Sequence, residues 1–332
     1  MIYKKSFNSL DLGKFIAAIF VVAIHAHPFD GVLEKVFIHA IAFIAVPFFF
    51  ITSSFLFFRK APNSEKMKHY MKRIMILYLF WGVYSIPLFY IYHTPPYGES
   101  ITIRDFIHNF FFSSTYSGSW FLMASLESVL LIWLLSKKVN NFIILILAVL
   151  IYIYNSFVSD GIIANDNVFK KGLSFIKGDW MKAMLFISFG KIVADHEVFI
   201  LTKIKTLSTF FFIVMLLLNF INVFYLQNYH QGILHLSSIA ILPLTALSIF
   251  LFALCHETRA NFPYRVFRRM STMFYLSHFT FVAIVAYVLH NIIGIDAPLL
   301  RYGIVLALCF TLYFFMEKMK DVKGFTWLKY GF

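Results

Sequence analysis

Charged side chains are scarce in this chain. Asp, Glu, Lys and Arg make up 14% of its 332 residues, against roughly 25% in soluble domains, so a water-facing globular surface is excluded. Carboxylates are scarcer still, 16 in all, and almost all lie in polar connections. Two cysteines, Cys255 and Cys309, sit in or beside apolar runs. They exclude a disulfide framework and a cysteine metal site. No Walker loop and no GxGxxG occurs, so nucleotide hydrolysis has no support. There is no HExxH, and His27, His39, His93, His230 and His290 lie near outer boundaries with no acidic partner at helical spacing. No metal and no tightly bound cofactor is therefore expected. Internal repeats and low-complexity tracts are missing as well.

What the chain has is apolar bulk. Hydrophobic residues make up 60% of it, 43 of them Phe. Length alone suggests two soluble domains, but no polar stretch is long enough to fold separately. Residues 1–332 therefore read as a single membrane domain with the lipid bilayer as its surroundings. A formal net charge of +13 suits a nucleic-acid binder among soluble proteins. Here Lys and Arg gather in short loops, where they set topology, and no nucleic acid is expected. Lys4 and Lys5 precede an apolar run that carries polar residues and lacks a small-residue cleavage site. That run reads as a retained first helix.

A helix needs about 20 apolar residues to cross about 30 Å of hydrocarbon. Ten segments qualify, near 10–28, 36–58, 74–92, 119–136, 141–158, 180–195, 207–226, 235–255, 271–290 and 299–316. They are long and continuous rather than alternating, which predicts helices. The fold class is thus all-α, a polytopic bundle of about ten transmembrane helices. With the N-terminus inside, only Lys35, Arg104, Lys170, Lys171, Lys177, Lys182 and Arg301 of the 29 basic residues fall on the outer side. That bias places both termini in the cytoplasm. Two outer connections are long. Residues 93–118 hold Pro95, Pro96 and an amphipathic stretch from Ile103 to Phe112 suited to the interface, and residues 159–179 are polar and mixed in charge.

Polar groups inside hydrocarbon are costly unless they face a cavity or a partner, so they mark candidate sites. Glu127 is the one carboxylate placed mid-helix, and Asp11 lies at the inner end of the first helix. Lys14 and His25 are 11 residues apart, about 20° past three full turns, with a rise of about 16 Å. Asp11 precedes Lys14 by three residues, so all three share one stripe. On the ninth segment Ser271, Tyr275 and His278 are spaced i, i+4 and i+7 and form a second stripe.

These residues resemble a known pattern. The chain is similar to the acyltransferase-3 family of integral membrane acyltransferases, from about Leu10 to Phe315. Asp11, Lys14 and His25 resemble the family's Asp-x-x-Arg followed by a deep His, with lysine in place of the arginine. VPFFFITSSFLFF (Val46 to Phe58) resembles its Val-Pro-x-Phe-Phe-x-x-Ser-Gly-Phe, with Ser53-Ser54 for Ser-Gly. Lys72, Arg73 and Tyr78 match its basic entry to helix three, and SWFLMASL (Ser119 to Leu126) its Trp-Phe-x-x-Ala-Leu segment. Ser271, Tyr275, Leu276 and His278 match its Ser-x-x-x-Tyr-Leu-x-His. In VVAIHAHPF and VPFFFI the chain is also similar to the membrane domain of vancomycin-resistance serine racemases.

The resemblance implies a bacterial plasma membrane enzyme that O-acylates polysaccharides or other cell-envelope molecules. The implied co-substrate is cytoplasmic acyl-CoA, normally acetyl-CoA, and the acceptor is an extracytoplasmic hydroxyl. Lys14, Arg59, Lys60, Lys72, Arg73, Arg268 and Arg269 are the candidate donor-binding cations. His25 is the candidate general base or acyl carrier, with Asp11 or Glu127 to orient it. Ser53, Trp120, Ser271, Tyr275 and His278 are the candidate substrate and oxyanion contacts. The second reading is an importer of a small polar molecule such as serine. The paired broken helices of many transporters are not evident in the sequence.

Overall fold

The computed structural model describes residues 7–85, 118–159, 178–226, 231–258 and 263–332. Among these every regular element is helical. Helix α1 (Asn8–Ala26) ends where His27 turns into the left-handed region at φ 46°, a conformation His adopts more readily than bulky apolar residues. The His27 N–H bonds the Ala23 carbonyl at 3.0 Å. Arg301 donates twice to the Ala26 carbonyl, at 3.0 and 2.7 Å. Carbonyls that a helix end leaves open are thereby satisfied, and the last turn, which carries His25, is held.

Helix α2 is one helical run, Gly31–Phe58. It passes through a π-helical stretch, Lys35–Ile41, and a 3-10 turn, Ala42–Ile44, before the regular part Ala45–Phe58. Pro47 has no N–H to bond back four residues, so the irregular turns sit where the ladder is already broken. Helix α3 (Ser64–Tyr84) starts at Asn63, whose side chain accepts from the Lys66 N–H at 2.9 Å, an ordinary N-cap. The chain continues through α4 (Trp120–Leu135), α5 (Asn141–Ser159), α6 (Trp180–Asp195) and α7 (Glu197–Lys203). Then come α8 (Lys205–Ile221), α9 (Gln231–Cys255), α10 (Arg265–Tyr287) and α11 (Pro298–Met319). A final 3-10 turn, Thr326–Gly331, folds back so that the Trp81 indole donates to the Gly331 carbonyl at 3.2 Å.

Among the described residues, five runs are long and apolar enough to cross a membrane: Asn8–Ala26, Gly31–Phe58, Lys205–Phe224, Arg265–Ile293 and Pro298–Met319. Trp120–Leu135, Asn141–Phe157 and Ile239–Cys255 are apolar but shorter. The expected interfacial stretch Ile103 to Phe112, with Pro95 and Pro96, lies outside the described residues, as do most of 159–179 and the outer end of 74–92.

Packing puts one polar end on the bundle. Helices α1, α3 and α10 begin there, and α2, α4, α6 and α11 finish there. Arg59, just past α2, forms a two-point ion pair with Glu197 at 3.0 and 2.9 Å. The Trp133 indole of α4 donates to the Pro62 carbonyl at 2.9 Å, and Arg269 pairs with Glu317. Helix α1 lies against α10, α2 and α11, while α6 is packed between α2, α4 and α5. Gly190 is what lets α6 approach α2. A Cβ there would lie 1.8 Å from Ser54 Oγ, 2.4 Å from the Ile51 carbonyl oxygen and 2.8 Å from the Phe55 nitrogen. Backbone cannot yield as a side-chain tip does, and small residues at such crossings are what membrane helices pack through. Gly190→Ala is therefore expected to cost about 1–3 kcal/mol, the range of an overpacked core, and to lower the unfolding temperature in detergent. An unchanged unfolding temperature would show that the two helices do not cross this closely.

Candidate active site

A cavity of about 1110 Å³ enters the bundle from the polar end. Its mouth carries seven Lys and Arg side chains, Lys14, Arg59, Lys60, Lys66, Arg73, Arg265 and Arg268, against two carboxylates, Asp11 and Glu65. The cavity then narrows to Phe49, Ser53, Phe121, Leu122, Ser125, Tyr275 and Leu276. Charge is thus concentrated at one end and replaced inward by aromatic rings and hydroxyls. Field lines from the mouth run into a low-dielectric channel, which raises the local concentration of anions.

Asp11 organises the deep side of that mouth. It is 3% exposed and takes a two-point ion pair from Arg268, Nε to Oδ1 at 2.9 Å and Nη2 to Oδ2 at 2.7 Å. Lys14 Nζ stands 3.5 Å from the same Oδ1. The planar fork of Arg268 is thereby aimed, with its remaining N–H groups left for the cavity. Lys60, Lys66, Arg73 and Arg265 make no ion pair among the described residues, so their charge is available to a ligand.

The two imidazoles meet at the other end of the same helices. The rings of His25 on α1 and His278 on α10 lie 5.2 Å apart, centre to centre, with 33° between their planes. Phe279 packs on both, at 4.1 Å from His25 and 4.6 Å from His278. His278 is fully buried, and its Nδ1 lies 3.0 Å from the Phe274 carbonyl. Its Nε2 has no hydrogen-bond partner among the described residues. Gly118, at φ 89°, comes against Phe279 and the Tyr275 carbonyl, where a Cβ would sit 3.2 Å from the Phe279 ring. The positive φ and the close ring favour glycine there, and the start of α4 closes in on the pair.

Between cavity and histidines stands an aromatic wall. Tyr275 is 4.9 Å from Phe121 and 5.5 Å from Phe49, centre to centre, and 6.0 Å from His278. Neither histidine is among the residues lining the cavity. The expected open route from the basic side to His25 is therefore closed at Tyr275.

Of the residues singled out in the sequence, Asp11, Lys14, Arg73, Arg268, Ser53, Ser271 and Tyr275 line the cavity. His25 and His278 come together beyond it. Four candidates are placed elsewhere. Lys72 is exposed and Arg269 turns to Glu317, each next in sequence to a lining arginine and so about 100° around its helix. Trp120 packs 6.0 Å from Phe50, off the cavity. Glu127 is half-buried, two residues beyond the lining Ser125 and so about 200° away from it. Asp11 lies 14 residues below His25, about 21 Å of helix, and orients Arg268 rather than the imidazole. Sequence reasoning missed Lys66, Arg265, Phe49, Phe121 and Ser125. A signal existed for the last two, which are spaced i, i+4 on α4 and share a face.

Helices of membrane-crossing length around a basic, inward-narrowing cavity define a multi-pass membrane protein. The chain matches the family model described as an acyltransferase domain, acyltransferase-3, over residues 7–317. It belongs to the acyltransferase-3 family. Two amino-acid racemases of Enterococcus faecalis are similar to it. One is 31% identical over 161 residues, covering 47% of this chain and 22% of that protein. The other is 31% identical over 142 residues, covering 40% of this chain and 20% of that protein. The chain thus spans about a fifth of the length of these curated relatives. No solved structure matches it.

The ion-pair geometry predicts an asymmetry. Asp11 and Lys14 side chains are 5% and 10% exposed, whereas Arg268 is 49% exposed. Asp11→Asn strips a buried cation of its partner and is expected to cost about 2 kcal/mol, below the 3–5 of fully enclosed pairs because water reaches Arg268. Arg268→Gln leaves Asp11 with Lys14 and should cost clearly less. Unfolding in detergent compares the two, and equal losses would rule out Asp11 as the shared partner.

Proposed function

We propose that the protein moves an acyl group, acetyl in the first instance, from cytoplasmic acyl-CoA to a hydroxyl of an extracytoplasmic acceptor such as a cell-envelope polysaccharide. The observation that carries this reading is the cavity, basic at its mouth and neutral at its depth. Its volume of about 1110 Å³ is at or above the top of the usual pocket range of roughly 300–1,000 Å³. That space and polarity suit a ligand with a phosphate-bearing head and a thin uncharged arm. In this reading the polar end faces the cytoplasm, about ten helices span the plasma membrane, and both termini stay inside, a topology that the bias of the loop charges supports.

The phosphates bind Lys60, Lys66, Arg73, Arg265 and the aimed fork of Arg268. The thioester arm then lies along Ser53, Ser125 and Leu276 toward Tyr275. Ser125 Oγ is buried and has no hydrogen-bond partner among the described residues, so it is free to donate to the oxygen that gains charge in the transition state. A turn of the Tyr275 ring opens the way to the histidine pair. The acceptor oxygen attacks the acyl carbon while a neutral His25 takes the hydroxyl proton. The carbon–sulfur bond breaks, and the departing thiolate recovers that proton as free thiol. Water is excluded by the rings of Phe49, Phe121 and Phe279, which limits wasteful hydrolysis.

The alternative, import of a small polar molecule such as serine, draws on the likeness to proteins named amino-acid racemases. A mouth with seven cations suits an anion better than a neutral zwitterion, and the cavity ends at Tyr275, so the transferase reading is preferred.

The test uses purified protein in detergent with acetyl-CoA and no added acceptor, following the slow thiol release that results when water stands in for the acceptor hydroxyl. His25→Ala should leave the folded protein and its donor affinity intact while lowering turnover about 100-fold or more, the usual worth of a positioned acid–base group. Lys14→Ala, or Arg73→Ala with Arg265→Ala, should instead raise the donor KM, more so at low salt. Wild-type turnover in the His25 variant, or no donor binding by the unaltered protein, would sink the assignment.

A further inference from the structure

We infer that His278 is the positioning partner of His25, accepting its ring N–H and leaving the opposite ring nitrogen bare for the acceptor hydroxyl. The inference rests on the acyltransferase reading and deepens it. An imidazole that acts as a base needs its tautomer and plane fixed by a second group, commonly a carboxylate or a carbonyl. Neither carboxylate offered by the sequence fills that place. Asp11 is spent on Arg268 and Lys14 at the cavity mouth. Glu127 lies on the face of α4 turned away from the cavity side.

What does stand beside His25 is His278, and its hydrogen-bonding state can be read from its surroundings. The Phe274 carbonyl, 3.0 Å from Nδ1, can only accept. The ring hydrogen of His278 is therefore on Nδ1, and Nε2 presents a lone pair. That nitrogen is buried and unpartnered among the described residues, a state that structures rarely tolerate without a use. His25 is half-buried and also makes no hydrogen bond among the described residues. Two imidazoles joined N–H···N have centres about 5 Å apart, a bond of about 2.9 Å plus two ring radii. The observed 5.2 Å, with 33° between planes, is that distance with the rings slightly misaligned. A small swing of His25 closes the bond, as catalytic hydrogen bonds that are loose without substrate often tighten with it.

The pairing also suits its depth. A carboxylate beside His25 would add a charge to a low-dielectric interior, whereas a second imidazole is neutral. When His25 takes the hydroxyl proton, its imidazolium shares the charge through the N–H···N bond to His278. Phe279, against both rings, keeps water from competing for Nε2.

Three substitutions separate this role from mere packing. His278→Asn keeps a donor near the Phe274 carbonyl but has no acceptor where Nε2 stood. His278→Gln reaches that position with an amide oxygen. His278→Leu supplies neither. With acetyl-CoA as the probe and thiol release as the readout, Asn and Leu should lower kcat about 100-fold, the scale of a positioned acid–base pair, with KM changed less than twofold. Gln should retain at least tenfold more kcat than Asn. His25→Ala combined with His278→Asn should be no slower than His25→Ala alone, since one residue acts through the other. An Asn variant equal to or faster than Gln, losses confined to KM, or a double variant slower than His25→Ala would overturn the assignment. Wild-type protein that neither binds nor cleaves acetyl-CoA would overturn the transferase reading itself, and this one with it.

Discussion

The clamp of Arg268 on Asp11 sets the register on which the rest of the molecule depends. It ties the first turns of α1 and α10, two helices that run in the same direction from the polar end. From Asp11 to His25 is 14 residues, about 21 Å of rise, and from Arg268 to His278 is 10 residues, about 15 Å. The two histidines nevertheless meet. The difference of about 6 Å is spanned by the arginine side chain, which in a helix slopes back toward the N-terminus. An ion pair at the mouth therefore brings two imidazoles level most of the way across the bundle. The opposite end of α1 is secured separately, by Arg301 on the Ala26 carbonyl.

Burying that clamp has its own logic. A carboxylate 3% exposed is tolerated only because two cations and their hydrogen bonds replace water. The same arrangement leaves the mouth with excess positive charge, because Asp11 answers only part of it and Glu65 is the other carboxylate lining the cavity. The register of the helices and the positive charge of the mouth are thus consequences of one arrangement of charge.

Much of this was legible in the sequence, for reasons tied to helical period. Asp11, Lys14 and His25 fall on one stripe by counting residues, and so do Ser271, Tyr275 and His278. That the two stripes face each other was not legible, because helix register is decided by side-chain lengths and packing across α1 and α10. Neighbouring candidates failed for an equally local reason. Arg73 and Arg268 line the cavity while Lys72 and Arg269 do not, since adjacent residues point about 100° apart and loop charge alone cannot say which one turns inward. Hydropathy found the long helices but not the irregular turns before Pro47, nor the depth of α6. That helix carries Lys182 and Lys191, yet most of its residues are buried among α2, α4 and α5.

Among the described residues, Tyr275 stands between the charged cavity and the histidine pair. Tyr275 is on the same helix as Arg268 and His278, seven residues above one and three below the other. Moving that helix to open the wall would disturb both the clamp and the imidazole pair. Its backbone is also hemmed by Gly118 against Phe279 and the Tyr275 carbonyl. The rings of Phe49, Phe121 and Tyr275 meet at tilted or edge-on angles rather than stacked, so a ring can turn without sliding a neighbour. In the proposed reaction, side-chain rotation rather than helix motion is therefore the step that joins donor to base. Such a step is compatible with a backbone whose register is locked at both ends of α1.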